Sequence, residues 1–113
     1  MKSLLIATLE KLGYPVILQG SMADNEPYPE SFITFQTMAS PEQDFFDGLP
    51  HGIQWRYAVI FYTSNPALMS SVPGQIYNAL RSAGFIPQGR GYDIPSDEQT
   101  HTGFANEYYY LEV

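Results

Sequence analysis

One long alternating segment at the centre of the chain, Ile53 to Thr63, constrains the fold more than any other feature. Its first set of alternate positions holds Ile53, Trp55, Tyr57, Val59 and Phe61, and its second holds Gln54, Arg56, Ala58, Ile60 and Tyr62. Alternate residues of a strand point to opposite faces, so each set lies on one face. Because both faces are apolar in the second half, the segment predicts a central strand covered on two sides.

Two other segments have the periodicity of helices. The apolar residues of the first, about residues 2–12, fall on one face: Leu4, Leu5, Leu9 and Leu12. The second begins at Asn65-Pro66, where Asn is a favoured cap and Pro a favoured first residue, and it ends at Gly84. Pro73 lies inside this second segment. Since a proline cannot continue a straight helix, we expect it to kink or restart the helix.

The remaining segments predict strands and loops. Strands are predicted at residues 16–22, at residues 31–38, from Phe85, and at residues 102–113. Residues 40–52 contain two prolines, two glycines and three acids, which favours a long loop or arm. Residues 88–99 are polar and glycine-rich, and they predict a second loop.

The resulting order of elements is αβββαββ, and loops of these lengths between successive strands favour antiparallel pairing. We therefore predict an α+β fold with a mainly antiparallel sheet of about five strands and two helices packed on it. A chain of 113 residues has the length of one domain, so residues 1–113 are expected to form a single unit.

The charge of the chain narrows the range of its partners. Twelve Asp and Glu against five Lys and Arg give a net charge of −7. The basic residues are scattered singly: Lys2, Lys11, Arg56, Arg81 and Arg90. Nucleic-acid binders cluster such residues against phosphates, so we expect no sequence-specific nucleic-acid binding. No apolar run approaches the roughly 18 residues that span a bilayer, and the charge opposes an anionic membrane, so we expect a soluble cytoplasmic protein without membrane contact.

Residues able to carry catalysis are few. Without cysteine there is no disulfide, thiolate metal site or cysteine nucleophile. His51 and His101 could form an acid–base pair, but two exposed loop histidines are the simpler interpretation. Four residues of one loop could bind a divalent cation: Asp93, Asp97, Glu98 and His101. They lack the spacing of a calcium loop, so a solvated acidic loop is favoured, and we predict no catalytic, metal-ligating or cofactor-binding residue, no cofactor and no enzymatic activity.

Two aromatic features fit an interaction protein better. Phe45-Phe46, between Asp44 and Asp47, places two large rings in a segment without helical or strand pattern. These rings either fold back onto the domain or enter a partner's groove. The run Tyr108-Tyr109-Tyr110 makes both faces of the last predicted strand aromatic. Either two layers cover that strand or a neighbouring subunit does, and tyrosine is favoured at interfaces.

A succession of segments along the chain resembles a known family. Its first half is the strand Ser31-Phe-Ile-Thr-Phe35, the loop Phe46-Asp47-Gly48 and the strand Trp55-Arg-Tyr-Ala-Val-Ile-Phe-Tyr62. Its second half is the helix end Ile76-Tyr-Asn-Ala-Leu-Arg-Ser-Ala-Gly-Phe85, an acidic turn at Tyr92-Asp93 and the run Glu107-Tyr-Tyr-Tyr110. These segments are similar to those of the small minor structural proteins of tailed phages and prophages, of the tail-terminator or head–tail joining type.

The resemblance implies an α+β subunit without catalytic residues that forms a ring, often a hexamer, at the head-proximal end of a long tail. There it would stop tail-tube growth and dock the head connector. The expected partners are copies of the chain, tail-tube proteins and connector proteins, first in the cytoplasm of the bacterial host during assembly and then in the virion. The candidate interaction surface comprises Phe45, Phe46, Asp47, Tyr92, Asp93, Tyr108 and Tyr110. A small ligand-binding or regulatory α+β module with an apolar pocket is the alternative function, and an enzyme that uses the histidines or loop acids is a third.

Overall fold

The computed structural model describes residues 2–19, 28–39, 45–46, 49–50, 53–96 and 98–112. In chain order the elements are α1 (Lys2–Glu10), β1 (Val16–Leu18), β2 (Ser31–Ala39), β3 (Phe45–Phe46), β4 (Leu49–Pro50), β5 (Ile53–Thr63), a 3₁₀ helix (Pro66–Ser70), α2 (Val72–Ser82), β6 (Ile86–Pro87), β7 (Tyr92–Pro95) and β8 (Thr102–Glu112). The α+β class predicted from the sequence is confirmed.

The main sheet has six strands in the order β1-β2-β5-β8-β6, with β7 also paired to β8. β5 is central, as its sequence predicts, and pairs antiparallel with β2 on one side and with β8 on the other. β1 runs parallel to β2, with Val16 opposite Ile33, so the sheet is mixed rather than antiparallel throughout. The connection explains this pairing, because about a dozen residues separate β1 from β2, and that length allows a crossover between parallel strands.

Three short strands lie where the sequence predicts loops. β3 and β4 pair with each other as a separate two-stranded sheet inside the predicted arm at 40–52. Residues 40–44, 47–48 and 51–52 of that arm lie outside the described residues. β7 lies inside the predicted loop at 88–99 and pairs with the start of β8. The predicted order αβββαββ is therefore wrong at these places, because strands of two to four residues hold too few alternate positions to show a pattern.

The second helical segment restarts near Pro73, as predicted. The chain first forms the 3₁₀ helix, which is capped by Asn65, whose Oδ1 accepts a hydrogen bond from the Ala67 backbone N–H at 3.1 Å. α2 then begins at Val72, with Pro73 in its first turn. A proline there removes only an N–H that has no partner within the helix, so the helix tolerates it.

Both helices pack on one face of the main sheet, and the core lies between these two layers. The core consists of Leu5, Leu9, Ile33, Phe35, Tyr57, Val59, Phe61, Val72, Ile76, Leu80, Phe85 and Tyr108. Removing one large apolar side chain from water contributes about 1.5–3 kcal/mol, so this set supplies most of the drive to fold. Of the first set of alternate β5 positions, Tyr57, Val59 and Phe61 are therefore buried and Trp55 is partly buried.

The opposite face of the sheet carries no helix among the described residues. Its β5 side chains, which form the second set of alternate positions, are each partly exposed: Gln54, Arg56, Ala58, Ile60 and Tyr62. Beside the second half of β5, however, Phe32, Thr34 and Ala105 on this face are buried, so the predicted covering of β5 on two sides is met there in part. An apolar face favours burial, but its pattern does not say whether the same chain or another chain covers it.

Candidate interaction surface

The face of the main sheet opposite the helices is the candidate interaction surface, and we call it the helix-free face. It is formed by Phe32, Thr34, Gln36 and Met38 of β2, the alternate β5 residues from Gln54 to Tyr62, Ile86 of β6, Tyr92 and Ile94 of β7, and Gly103, Ala105, Glu107, Tyr109 and Leu111 of β8. Residues directly opposite each other in neighbouring strands point to the same side, so these positions join into one surface.

Exposed apolar side chains concentrate on the helix-free face. Of the five large apolar side chains that are exposed in the described part of the chain, four belong to it: Ile86 (55% exposed), Tyr92 (54%), Leu111 (48%) and Met38 (44%). Ile86 lies opposite Tyr109, which in turn lies opposite Arg56, so these residues form one row across three strands. Several exposed apolar side chains on one face are typical of an interaction site.

An ion pair lies in the middle of the helix-free face. Arg56 Nη2 and Nε lie 2.9 Å and 3.0 Å from Glu107 Oε1. The Arg56 guanidinium also lies over the ring of Tyr109, 5.4 Å from its centre. Among the residues defined above, Arg56 and Glu107 are the two that carry charge, and their charges cancel. A chain of net charge −7 thus has a neutral face, where the repulsion between two identical chains is weakest.

Aromatic contacts fill the other end of the helix-free face. Phe32 stacks on Tyr62 with ring centres 5.2 Å apart, and Tyr28 meets Phe32 edge-on at the same separation of 5.2 Å. Tyr62 also reaches across Gly103, where an added Cβ would lie only 2.9 Å from the Tyr62 ring and from Ile94. Glycine is therefore needed at this position for the ring to lie across the neighbouring strand.

His101 lies beside these rings and is buried, which corrects the prediction of an exposed loop histidine. Its Nε2 donates a hydrogen bond to the carbonyl oxygen of Pro29 at 2.8 Å, and its Nδ1 lies 2.9 Å from the Thr100 hydroxyl. Both ring nitrogens are therefore engaged in contacts that join residue 29 to the start of β8. The other member of the hypothetical acid–base pair, His51, lies outside the described residues.

The acids of the loop before β8 form no cation site in the part of the chain that the structure describes. No three Asp, Glu, His or Cys residues come together there in a way that could hold a metal ion. Asp93 and Glu98 are exposed, and Asp97 lies outside the described residues.

Four of the seven predicted interaction residues lie in short strands. Phe45 and Phe46 form β3, while Asp47 lies outside the described residues. Tyr92 and Asp93 are exposed neighbours on β7. The pairing of β7 with β8 places Tyr92 on the helix-free face and Asp93 on the other side of the sheet. Of these residues, Tyr92 thus contributes to the helix-free face.

Tyr108 and Tyr110 lie on the core side of β8, which corrects their placement on an interaction surface. Tyr108 is 2% exposed. Burial raises the pKa of its phenol to about 12, although a hydrogen bond with the Asn106 side chain lowers it in part. Tyr110 packs against Phe85 with ring centres 4.9 Å apart. The alternation is as predicted, but Tyr109 is the residue that faces away from the core, and β8 alone cannot indicate this because both of its faces are aromatic.

Sequence reasoning also missed Met38, Ile86 and Leu111, because an apolar residue in a strand gives no sign of being exposed. The sequence did indicate that Arg56 is unusual, because a charged residue inside a long apolar strand needs a partner. That partner, Glu107, is 51 residues away along the chain, so only the pairing of β5 with β8 brings the two together.

A small cavity lies between α2 and the core side of the sheet. Its lining residues are Val59, Phe61, Pro73, Ile76, Arg90, Phe104, Asn106 and Tyr108. About 10 Å³ of this space is open to the centre of a water molecule, which is room for about one water. Pockets for drug-sized ligands have volumes of about 300–1,000 Å³, so a metabolite would enter only if α2 moved away from the sheet.

No helix within the described ranges is long and apolar enough to cross a membrane. No protein-family model and no curated protein matches the sequence. What the chain does must therefore be inferred from its own residues.

Proposed function

We propose that this chain is a structural subunit of a tailed phage or prophage virion, of the tail-terminator or head–tail joining type. In this role it works without catalysis, by binding copies of itself and neighbouring virion proteins. The copies form a ring at the head-proximal end of the tail, stop growth of the tail tube and dock the head connector.

The helix-free face is the observation that carries the proposal of assembly. It is neutral and apolar, and it lies on the side of the sheet that the helices leave uncovered. The face as defined covers four strand positions, because β6 and β7 both lie beside β8. At about 4.8 Å per strand and about nine residues of about 3.3 Å, its projected area is on the order of 600 Å². Stable protein interfaces bury about 800 Å² per partner. Phe32, Thr34 and Ala105 on this face are buried within the subunit, so the exposed part of the face supplies only part of an interface of that size.

The resemblance to minor structural proteins of tailed phages supports the virion part of the proposal. That resemblance implies an α+β subunit, and the α+β class of this chain agrees with it. Because one fold class serves many functions, the assembly surface is the more specific support.

A small ligand-binding or regulatory module is the second candidate function. It needs an apolar pocket, whereas the cavity beside α2 has room for about one water molecule. An enzyme is the third candidate, and His101, the described member of its hypothetical pair, is engaged with Pro29 and Thr100. Neither of these two functions requires the chain to bind copies of itself, whereas the structural role does. A measurement of self-association therefore distinguishes the structural role from both of them.

The solution mass of the purified chain across concentration tests the proposal. Light scattering coupled to gel filtration should detect a species several times heavier than the 12.7 kDa subunit, and its share should grow with concentration. Negative-stain electron microscopy of that species should show closed rings. A mass that stays at 12.7 kDa at every concentration would contradict self-assembly in solution and favour the ligand-binding module.

A further inference from the structure

Two arginines that are far apart in the sequence converge on one tyrosine ring. The guanidinium carbon of Arg81 lies 5.7 Å from the centre of the Tyr77 ring, and that of Arg90 lies 4.5 Å from the same point. Tyr77 and Arg81 are one helical turn apart on α2, whereas Arg90 comes from the loop between β6 and β7. The basic residues are scattered singly along the sequence, but tertiary packing brings these two together.

The loop that carries Arg90 is held firmly against β8. The buried Asn106 side chain donates a hydrogen bond from Nδ2 to the Gly89 carbonyl at 3.1 Å. Gly91 has a φ of +99°, and a Cβ there would run into the Phe104 ring and the Ala105 carbonyl oxygen. Glycine is the residue that this close approach and this backbone angle accept. The backbone on both sides of Arg90 is thus fixed, and Tyr77 orients its side chain.

Neither guanidinium has a carboxylate partner in the described chain. The ion pair found there joins Arg56 to Glu107, on the opposite face of the sheet. Arg81 and Arg90 are both exposed. The dipole of α2 favours Arg81 in the last helical turn, but it offers nothing to Arg90. The chain has twelve acidic and five basic residues. Two converging arginines without acidic partners therefore form a positively charged patch on a chain whose net charge is negative.

We propose that Arg81 and Arg90, oriented by Tyr77, bind carboxylates of a second copy of this chain. This inference rests on the proposed function and names an electrostatic contact through which copies meet. Guanidinium groups form paired hydrogen bonds with carboxylates, and a ring that orients them lowers the entropy lost on binding. Each copy carries twelve acids, and their carboxylates can pair locally with the two arginines even though the net charge of −7 makes whole copies repel one another at long range.

Nucleic acid fits this contact less well than a second copy does. Proteins that bind nucleic acid neutralise several phosphates with clustered Lys and Arg. Here the structure brings together two arginines, which is fewer basic groups than a phosphate backbone engages. The contact lies on the helix side of the sheet, so it is distinct from the helix-free face.

Sedimentation velocity of the variant Arg81→Gln/Arg90→Gln tests the inference. We expect its self-association constant to fall about tenfold below that of the wild type, with a weaker dependence on salt between about 0.05 M and about 0.5 M NaCl. Lys2→Gln/Lys11→Gln is the matched control, because it changes the net charge equally at two exposed lysines. It should associate nearly as the wild type does, and Arg81→Lys/Arg90→Lys should keep part of the affinity. Thermal unfolding of each variant separates lost contacts from lost structure.

The possible results distinguish the inference from the proposal on which it rests. If the wild type associates and the arginine variant associates as the lysine control does, the inference is overturned while self-assembly stands. A wild type that stays monomeric at every concentration overturns both. If the arginine variant loses affinity for a single-stranded DNA oligonucleotide but keeps its self-association, the arginines bind nucleic acid and the inference is wrong.

Discussion

Thr34 and Thr63 carry the same side chain in neighbouring strands, but their hydroxyl groups have different surroundings. The Thr63 hydroxyl lies 2.8 Å from Ser31 Oγ and accepts a hydrogen bond from the Asn65 backbone N–H at 3.0 Å. The Thr34 hydroxyl is buried and has no hydrogen-bond partner within the described chain. A buried polar atom without a partner lowers stability by about 1–3 kcal/mol.

We expect Thr34→Val to raise the free energy of unfolding by about 1 kcal/mol, because it removes the unpaired atom and nearly keeps the shape. Thr63→Val is the matched control and should lower the free energy of unfolding by about 1–3 kcal/mol, because it leaves buried groups unpaired. Urea unfolding followed by the fluorescence of Trp55, the one tryptophan of the chain, measures both changes. A loss of stability in Thr34→Val would contradict the assignment of an unpaired hydroxyl.

The buried phenol of Tyr108 makes stability depend on alkaline pH. In the folded chain burial raises its pKa from the ordinary 10.0 to about 12. Between these values the unfolded chain has released the proton while the folded chain still holds it, so stability falls as the pH rises through this window. The full difference corresponds to about 2–3 kcal/mol, and at pH values well below 10.0 this group leaves the stability unchanged with pH.

Urea unfolding between about pH 9 and about pH 12 should therefore show a steeper decline of stability in the wild type than in Tyr108→Phe. The phenylalanine variant keeps the ring in the core and removes the titrating group. The other tyrosines are present in both proteins, so their titration cancels in the comparison. Parallel declines in the two proteins would show that Tyr108 titrates alike in the folded and unfolded chains.

At the scale of secondary structure, the sequence predicts long elements better than short ones. β5 has the predicted bounds, Ile53–Thr63, because eleven alternating residues repeat the strand pattern several times. β7 holds four residues that follow Gly91 and end at Pro95, and its pairing with β8 is a tertiary contact that no local pattern contains. The parallel pairing of β1 with β2 is likewise a tertiary contact that no local pattern predicts, because strand direction depends on the path of the connection.

The candidate surface was predictable only in part. Alternation correctly separates Tyr109 from Tyr108 and Tyr110, but the packing of the helices decides which set is buried. Tyr92 was predicted and does lie exposed on the helix-free face. Ile86 was not predicted to lie there, because its exposure depends on whether another part of the chain covers it. A sequence pattern thus indicates a strand and its two faces, but not the face that remains uncovered.

For the whole molecule, the proposals concern two different surfaces. The helix-free face is neutral and apolar, whereas the pair Arg81 and Arg90 lies on the helix side and carries positive charge. Two different surfaces on each copy allow head-to-tail contacts, which close into a ring when the rotation between copies permits it. A single self-complementary surface would give dimers instead.

The most direct test of whether the helix-free face joins copies of the chain is the association constant of the variant Ile86→Gln/Leu111→Gln. Sedimentation velocity measures this constant beside that of the wild type. Both side chains are about half exposed, at 55% and 48%, so polar replacements should leave the fold intact, which circular dichroism can check. We predict that association weakens by about tenfold or more, because the apolar area is lost from the interface.

Leu18→Gln is the matched control for this measurement. Leu18 is 47% exposed, much like the two changed residues, but it lies outside the helix-free face. The control should associate as the wild type does. If Ile86→Gln/Leu111→Gln instead associates as strongly as the wild type, or if Leu18→Gln weakens association equally, the helix-free face is not the surface that joins copies of this chain.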